Sequence, residues 1–256
     1  MNVYATAVLI STVAVTTFTQ ASTAQAQAAS GPAPVEAFYC SMQEGKNMKD
    51  LTKVTDKFSK WAAKNDPSYS AWLLTLQFGM RDQAPPMIWL GSNPNGTEFG
   101  KGLDAWQATG DDLQAELNSV LDCSIGHVLA SSVEINVPAG PPGDGVVMFT
   151  QCSIDDGSDA MKAIAAHKAF SASMQAMGGK GSSWMFFPML GGGERDFDYF
   201  AVSAFKNWSD YGAAYDMYVG GGGWKKAMEI NAGVLSCDQA SPTVWDVKLV
   251  HQGKAS

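Results

Sequence analysis

Apolar residues along the chain follow two different periods, and each period predicts one kind of element. Between positions 48 and 61 they are three or four residues apart, which is the spacing of one face of a helix: Met48, Leu51, Val54, Phe58 and Trp61. From Trp72 to Phe78 they alternate with other residues, which is typical of a half-buried strand. The glycine after Phe78 favours a turn.

The same series of signals occurs twice. A shift of 112 residues places Cys40 on Cys152 and Trp72 on Trp184. A two-residue insertion near positions 220–223 then changes the shift to 114, which places Cys123 on Cys237. Self-similarity of this length predicts two copies of one structural unit.

Each copy contains signals for four strands and two helices in the order β-α-β-β-α-β. The predicted strands are Val35–Ser41, Ser70–Phe78, Met87–Gly91 and Val133–Val137 in the first copy, and Val146–Ser153, Ser182–Leu190, Tyr199–Phe205 and Thr243–Val250 in the second. Thr97 and Ser209 are the predicted N-caps of the second helix of each copy. This order is that of a ferredoxin-like unit, an α+β fold.

Two such units in one chain can cover each other's apolar sheet faces. We expect ferredoxin-like repeats at 34–138 and 146–252, joined by a Pro- and Gly-rich linker at 139–145. This order of elements resembles the dimeric α+β barrel superfamily, which includes antibiotic-biosynthesis monooxygenase-like, EthD-like and NIPSNAP-like proteins. The resemblance implies a single-chain, pseudo-dimeric barrel. It is one of topology, and no catalytic signature of the superfamily maps onto individual residues.

The N-terminus predicts export. Residues 1–28 read as a signal peptide, with a short apolar stretch followed by the small-residue site Ala24-Gln25-Ala26, although no Lys or Arg precedes the stretch. The predicted location is secreted, in a bacterial periplasm. Four cysteines at repeated positions predict one disulfide in each copy, Cys40–Cys123 and Cys152–Cys237.

Composition limits the partners. The formal charge of −8 disfavours binding to nucleic acid. No stretch is long and apolar enough to predict a transmembrane helix. We expect a monomeric pseudo-dimer, with further association left open.

Few residues suggest chemistry. His167 is the one helix-borne histidine and the only candidate for a haem ligand, but a structural role for it is the favoured interpretation. Trp72, Trp184 and Arg195 are the other candidates for a ligand pocket. No metal-ligand spacing and no nucleophile motif occurs, so the prediction is that the protein has no metal and no cofactor.

Three functional interpretations follow, and none of them assigns catalytic residues. The leading one is a non-catalytic protein that binds a small apolar or aromatic molecule, or another protein, through the barrel between the repeats. The alternative is a cofactor-independent monooxygenase or isomerase of the dimeric α+β barrel type, and a third is a haem-binding oxidoreductase. Divergence between the repeats distinguishes these interpretations. An enzyme usually keeps its site in one copy, whereas a structural pseudo-dimer keeps the two copies alike.

Overall fold

In the computed structural model, residues 31–80, 84–136, 141–238 and 241–254 are described. The predicted signal peptide and part of the predicted linker lie outside these residues. The elements are β1 Ala33–Met42, α1 Met48–Asn65, β2 Ser70–Phe78, β3 Met87–Ser92, α2 Gly96–Thr109, α3 Asp111–Asn118, β4 Leu121–Asn136, β5 Gly145–Ile154, α4 Ala160–Ala176, β6 Ser182–Leu190, β7 Tyr199–Phe205, α5 Trp208–Val219, α6 Gly223–Asn231, β8 Leu235–Cys237 and β9 Thr243–His251.

The strands form a closed antiparallel barrel. Eight of them run in the order β7-β6-β4-β1-β3-β2-β9-β5, pairing of β5 with β7 closes the ring, and the short β8 adds to β5 at its edge. The α+β class and the antiparallel barrel are therefore as predicted. We call residues 33–136 the first half and residues 145–251 the second half.

Both halves have the same internal strand order, β4-β1-β3-β2 in the first and β9-β5-β7-β6 in the second. The pairing register also repeats, because Cys40 lies opposite Met87 just as Cys152 lies opposite Tyr199. The halves meet where β2 pairs with β9 and where β4 pairs with β6. These two seams make the barrel one continuous sheet.

Alternation along the strands divides the buried side chains into three clusters. One fills the barrel interior and contains Val35, Leu74, Phe186 and Trp245. The other two lie outside the barrel, between the sheet and the helices of each half. The helices therefore cover the outer face of the barrel.

Three local predictions need correction. Asn95 and Asn207, two residues before Thr97 and Ser209, are the N-caps of α2 and α5, because their side chains accept from the backbone N–H groups three residues later. The second helix of each half is a pair, α2–α3 and α5–α6. Strand β4 begins at Leu121 and not at Val133, because its first part pairs with β1 in spite of its polar sequence.

Both predicted disulfides are present, Cys40–Cys123 and Cys152–Cys237, and no cysteine of the described residues is free. Cys40–Cys123 joins the end of β1 to the start of β4, and Cys152–Cys237 joins the end of β5 to β8, which precedes β9. No helix in the described ranges has the length and apolarity to cross a bilayer.

Candidate ligand-binding site

A cavity of about 140 Å³ lies in the first half, outside the barrel. It separates the outer face of the sheet from α1, α2 and α3. We call it the first-half cavity, and its wall includes Glu36, Asp66, Tyr69, Trp106 and Leu117. Its volume is close to that of an apolar cavity of about 150 Å³ that accommodates benzene.

A buried carboxylate, that of Glu36, forms the sheet side of the wall. Alternation with the barrel-facing Val35 on β1 places residue 36 on the outer face of the sheet, where it is 6% exposed. The Tyr69 hydroxyl donates to Glu36 Oε1 at 2.8 Å, and Trp89 Nε1 donates to that hydroxyl at 3.2 Å. Burial and the neighbouring Glu36 carboxylate raise the pKa of Tyr69 well above its usual value, so the phenol stays a donor.

His127 connects Glu36 to the solvent. Its Nε2 lies 3.0 Å from Glu36 Oε2, and its ring stacks on Phe38 with centroids 3.7 Å apart. About half of the His127 side chain is exposed, whereas the Glu36 side chain is 7% exposed. A carboxylate and an imidazole in this arrangement form a path for a proton between the cavity wall and water.

A second buried carboxylate, that of Asp66, lies on the wall where α1 ends. Asn93 Nδ2 donates to its Oδ1 at 3.1 Å, and the Ser68 hydroxyl donates to the same oxygen at 3.2 Å. Burial raises the pKa of Asp66 and the hydrogen bond from Asn93 partly opposes this, while the nearby Glu98 carboxylate raises it further.

Two glycines make room for the polar groups. A Cβ on Gly91 of β3 would overlap the Tyr69 hydroxyl, and a Cβ on Gly102 of α2 would overlap the Asp66 carboxylate. Gly102 is the buried residue of α2. The two glycines therefore leave room for the Tyr69 hydroxyl, which binds Glu36, and for the Asp66 carboxylate.

The residues predicted from the sequence lie elsewhere. Trp72 and Trp184 pack against the cluster that fills the barrel. Arg195 follows β6, donates to the Pro188 carbonyl at 3.3 Å and lies near the barrel-facing Tyr39. None of the three lines the first-half cavity.

His167 points toward the sheet–helix core of the second half and not into the barrel. Its Nε2 lies 2.9 Å from the Tyr199 hydroxyl, and Tyr199 belongs to that core. Burial lowers the pKa of His167 to about 4, so its imidazole is neutral at pH 7. One atom each of His167, Cys152 and Cys237 lie within 4.8 Å of one another, but the two sulfurs are joined in a disulfide and offer no thiolate.

These surroundings do not fit a haem ligand. An axial imidazole must present a free nitrogen to a space that holds the macrocycle. The Nε2 of His167 is engaged by Tyr199, and the ring is packed beside the disulfide. His167 is therefore not positioned to ligate haem iron.

Comparison with solved structures identifies the fold. A putative monooxygenase from Lactobacillus acidophilus aligns with a TM-score of 0.55 at 14% identity, covering 87% of this chain and 97% of that one. A putative monooxygenase from Fusobacterium nucleatum aligns with a TM-score of 0.54 at 8% identity, covering 88% and 96%. The chain has the fold of the dimeric α+β barrel superfamily.

The resemblance in topology is thereby confirmed. A mutant chlorite dismutase from Candidatus Nitrospira defluvii also aligns, with a TM-score of 0.50 at 8% identity over 84% of this chain and 91% of that one. No protein-family model matches the sequence. No curated protein matches it either. Identities this low concern the fold alone and leave function to the site.

Proposed function

We propose that this protein binds a small organic molecule in the first-half cavity. The observation that carries the proposal is an apolar space of about 140 Å³ with two buried carboxylates on its wall. Binding sites of this kind are mostly apolar with a few placed polar groups. The sequence predicts a ligand inside the barrel, but apolar side chains from both halves pack there.

The architecture around the site is part of the proposal. Equal strand order and register in the two halves support tandem ferredoxin-like units that form a pseudo-dimer within one chain. Two disulfides are typical of proteins that fold in an oxidising compartment, which supports a secreted, periplasmic protein.

Tryptophan indole signals in a ¹H–¹⁵N NMR titration test the binding site directly. Benzyl alcohol, a single-ring probe, should shift the Nε1 signals of Trp61, Trp89 and Trp106, which line the cavity. The signals of Trp184 and Trp245, which lie in the barrel cluster, should stay in place. Saturation at about millimolar concentration corresponds to about 4 kcal/mol of binding free energy.

A matched pair of variants controls the experiment. Leu117→Phe on α3 narrows the cavity and should weaken binding at least tenfold. Ile230→Phe on α6 makes a similar change at a half-buried position beside the second-half core, and it should leave binding unchanged. Equal binding by both variants, or shifts confined to Trp184 and Trp245, would place the ligand elsewhere.

The proton path through Glu36 and His127 favours a second candidate, a cofactor-independent monooxygenase. The two structures called putative monooxygenases, with TM-scores of 0.55 and 0.54, are compatible with it. Glu36 would accept a proton from an activated methylene group of the substrate and pass it to His127. The resulting carbanion would react with O₂, one oxygen atom becoming the carbonyl and the other leaving as water with both methylene hydrogens.

Deuterium exchange tests this candidate without requiring oxygen. The wild type should speed exchange at the acidic methylene group of 2-coumaranone, followed by NMR, and Glu36→Gln should lose at least 100-fold of that rate because general base catalysis typically contributes about 10²–10⁴-fold. Uptake of O₂ in the same mixture then reports oxygenation. Binding without either reaction leaves the protein a non-catalytic binder.

A further inference from the structure

The wall of the first-half cavity carries negative charge without a matching basic residue. Glu36 and Asp66 are 6% and 7% exposed. Of the described residues that line the cavity, none is lysine or arginine. A buried carboxylate without a counter-ion is costly, so the free site favours a partner of positive charge.

Most polar partners of the two carboxylates are neutral. The Tyr69 hydroxyl holds Glu36, and the Asn93 amide and the Ser68 hydroxyl hold Asp66. These hydrogen bonds orient the carboxylates and bring no positive charge to them. Glu98, which pairs with Lys101 at 2.8 Å, is a further acidic residue near Asp66.

His127 is the one titratable base that contacts either carboxylate among the described residues. It approaches Glu36 from outside the cavity, since it is not a lining residue and its side chain is half exposed. Solvent therefore screens a charge on His127, whereas a cation inside the cavity would face Glu36 and Asp66 away from water.

Aromatic rings make up much of the remaining wall. Trp61 and Trp106 meet edge to face with centroids 4.8 Å apart, and Phe58 and Trp89 do the same at 4.7 Å. The negative face of an aromatic ring attracts a cation within about 6 Å of its centroid. Carboxylates combined with indole rings select for an organic cation over a neutral molecule of equal size.

The second half lacks this combination. The shift of 112 residues puts Met148 where the first half has Glu36, Gly178 where it has Asp66, and Ala201 where it has Trp89. The charged and aromatic wall is thus a property of the first half and not of the fold.

We propose that the ligand of the first-half cavity is a small organic cation, a protonated amine or a quaternary ammonium group attached to one apolar group. This inference rests on the proposed function and narrows it to a ligand class. The carboxylates of Glu36 and Asp66 bind the charge, and the rings of Trp61, Trp89 and Trp106 enclose the apolar part.

Two probes of nearly equal shape test the charge. Benzylamine, protonated at pH 7, should bind at least tenfold more tightly than benzyl alcohol in the same NMR titration. Glu36→Gln and Asp66→Asn keep the side-chain shape, and each should weaken benzylamine at least tenfold while changing benzyl alcohol less than threefold. Circular dichroism checks that each variant is folded.

Asp104→Asn is the matched control. Asp104 lies exposed on α2 outside the cavity wall, so its loss changes the net charge equally and should not affect binding. Equal affinity for the two probes would overturn the cation proposal and leave the binding function standing. If neither probe shifts the cavity tryptophans, the binding function itself fails and the inference fails with it.

Discussion

The two halves of this protein share their strand arrangement and differ in the side chains between the sheet and the helices. Both have the same strand order, the same pairing register and a disulfide at the same place. The first half has a cavity with two buried carboxylates, whereas the second half has Met148 and Gly178 in place of Glu36 and Asp66 and packs Tyr199 and His167 beside its disulfide.

The shared strand order, register and disulfide therefore do not depend on the residues that form the cavity. Backbone pairing and the disulfide tolerate a change from Glu36 to Met148 at a repeated position, because both side chains lie outside the strand-to-strand hydrogen bonds. Stability should therefore depend on the two halves in a similar way, and ligand binding on the first half alone. The following predictions test that division.

The largest expected effect is loss of a disulfide, and it should be equal in the two halves. Cys40 and Cys123 are 83 residues apart, and Cys152 and Cys237 are 85 apart. In the chain-entropy model, loops of this length give about 4.5 kcal/mol of stabilisation. Replacing either pair by alanines should lower the free energy of unfolding by similar amounts in urea titrations. If one of the two replacements left the free energy of unfolding unchanged, the expected equality of the halves would be contradicted.

Acid should act on the second half through His167. Its pKa is about 4 when folded against a usual 6.5, so the unfolded chain binds the extra proton first. Its contribution is intact above pH 6.5 and is lost as the pH falls toward 4, by about 3 kcal/mol in all. His167→Thr, which copies Thr55 of the first half, should reduce the loss of stability between pH 6.5 and 4.

Urea titrations at a series of pH values measure this effect, and wild type is compared with variant because carboxylates also titrate in the same range. Parallel pH profiles of the two proteins would show that His167 is not buried as described.

A methyl group added at Gly102 should destabilise the protein, whereas one added at Gly100 of the same helix should not. Gly102→Ala pushes on the Asp66 carboxylate, and such overpacking costs about 1–3 kcal/mol. Nothing lies within 4 Å of a Cβ at Gly100, so Gly100→Ala should stabilise by up to about 1 kcal/mol through helix propensity. Thermal unfolding distinguishes the two, and similar melting temperatures would contradict the close packing at Asp66.

The smallest effect concerns an ion pair between α1 and α3. Lys57 Nζ lies 2.6 Å from Glu116 Oε2, with both side chains about half exposed. Exposed pairs contribute roughly 0.2–1 kcal/mol. Lys57→Ala, which introduces the residue found at position 169 of the second half, should change the unfolding free energy by less than about 1 kcal/mol and leave probe binding as it is.

Much of the fold follows from the sequence because strands with regular alternation are easy to recognise. Ser70–Phe78, Ser182–Leu190 and Tyr199–Phe205 have the predicted bounds. The first part of β4 was missed since Ser124, Gly126 and His127 interrupt the apolar pattern, and its pairing with β1 is a long-range property.

The site was missed for a related reason. A single Glu36 in a strand looks like an ordinary solvent-facing residue, and nothing local shows that α2 and α3 cover it. The available signal was divergence between the repeats, since Glu36 and Tyr69 correspond to Met148 and Gly181. Trp72 and Trp184, which occur at the same position of the two copies, pack in the core of the barrel and do not mark the cavity.

A crystal structure of the protein with benzylamine tests the central claim most directly. We predict density for one ligand in the first-half cavity, with its amine within about 3 Å of a carboxylate oxygen of Glu36 or Asp66. The space around His167 in the second half should hold none. Benzylamine inside the barrel or in the second half, with the first-half cavity vacant, would contradict the assignment of the site to the first half.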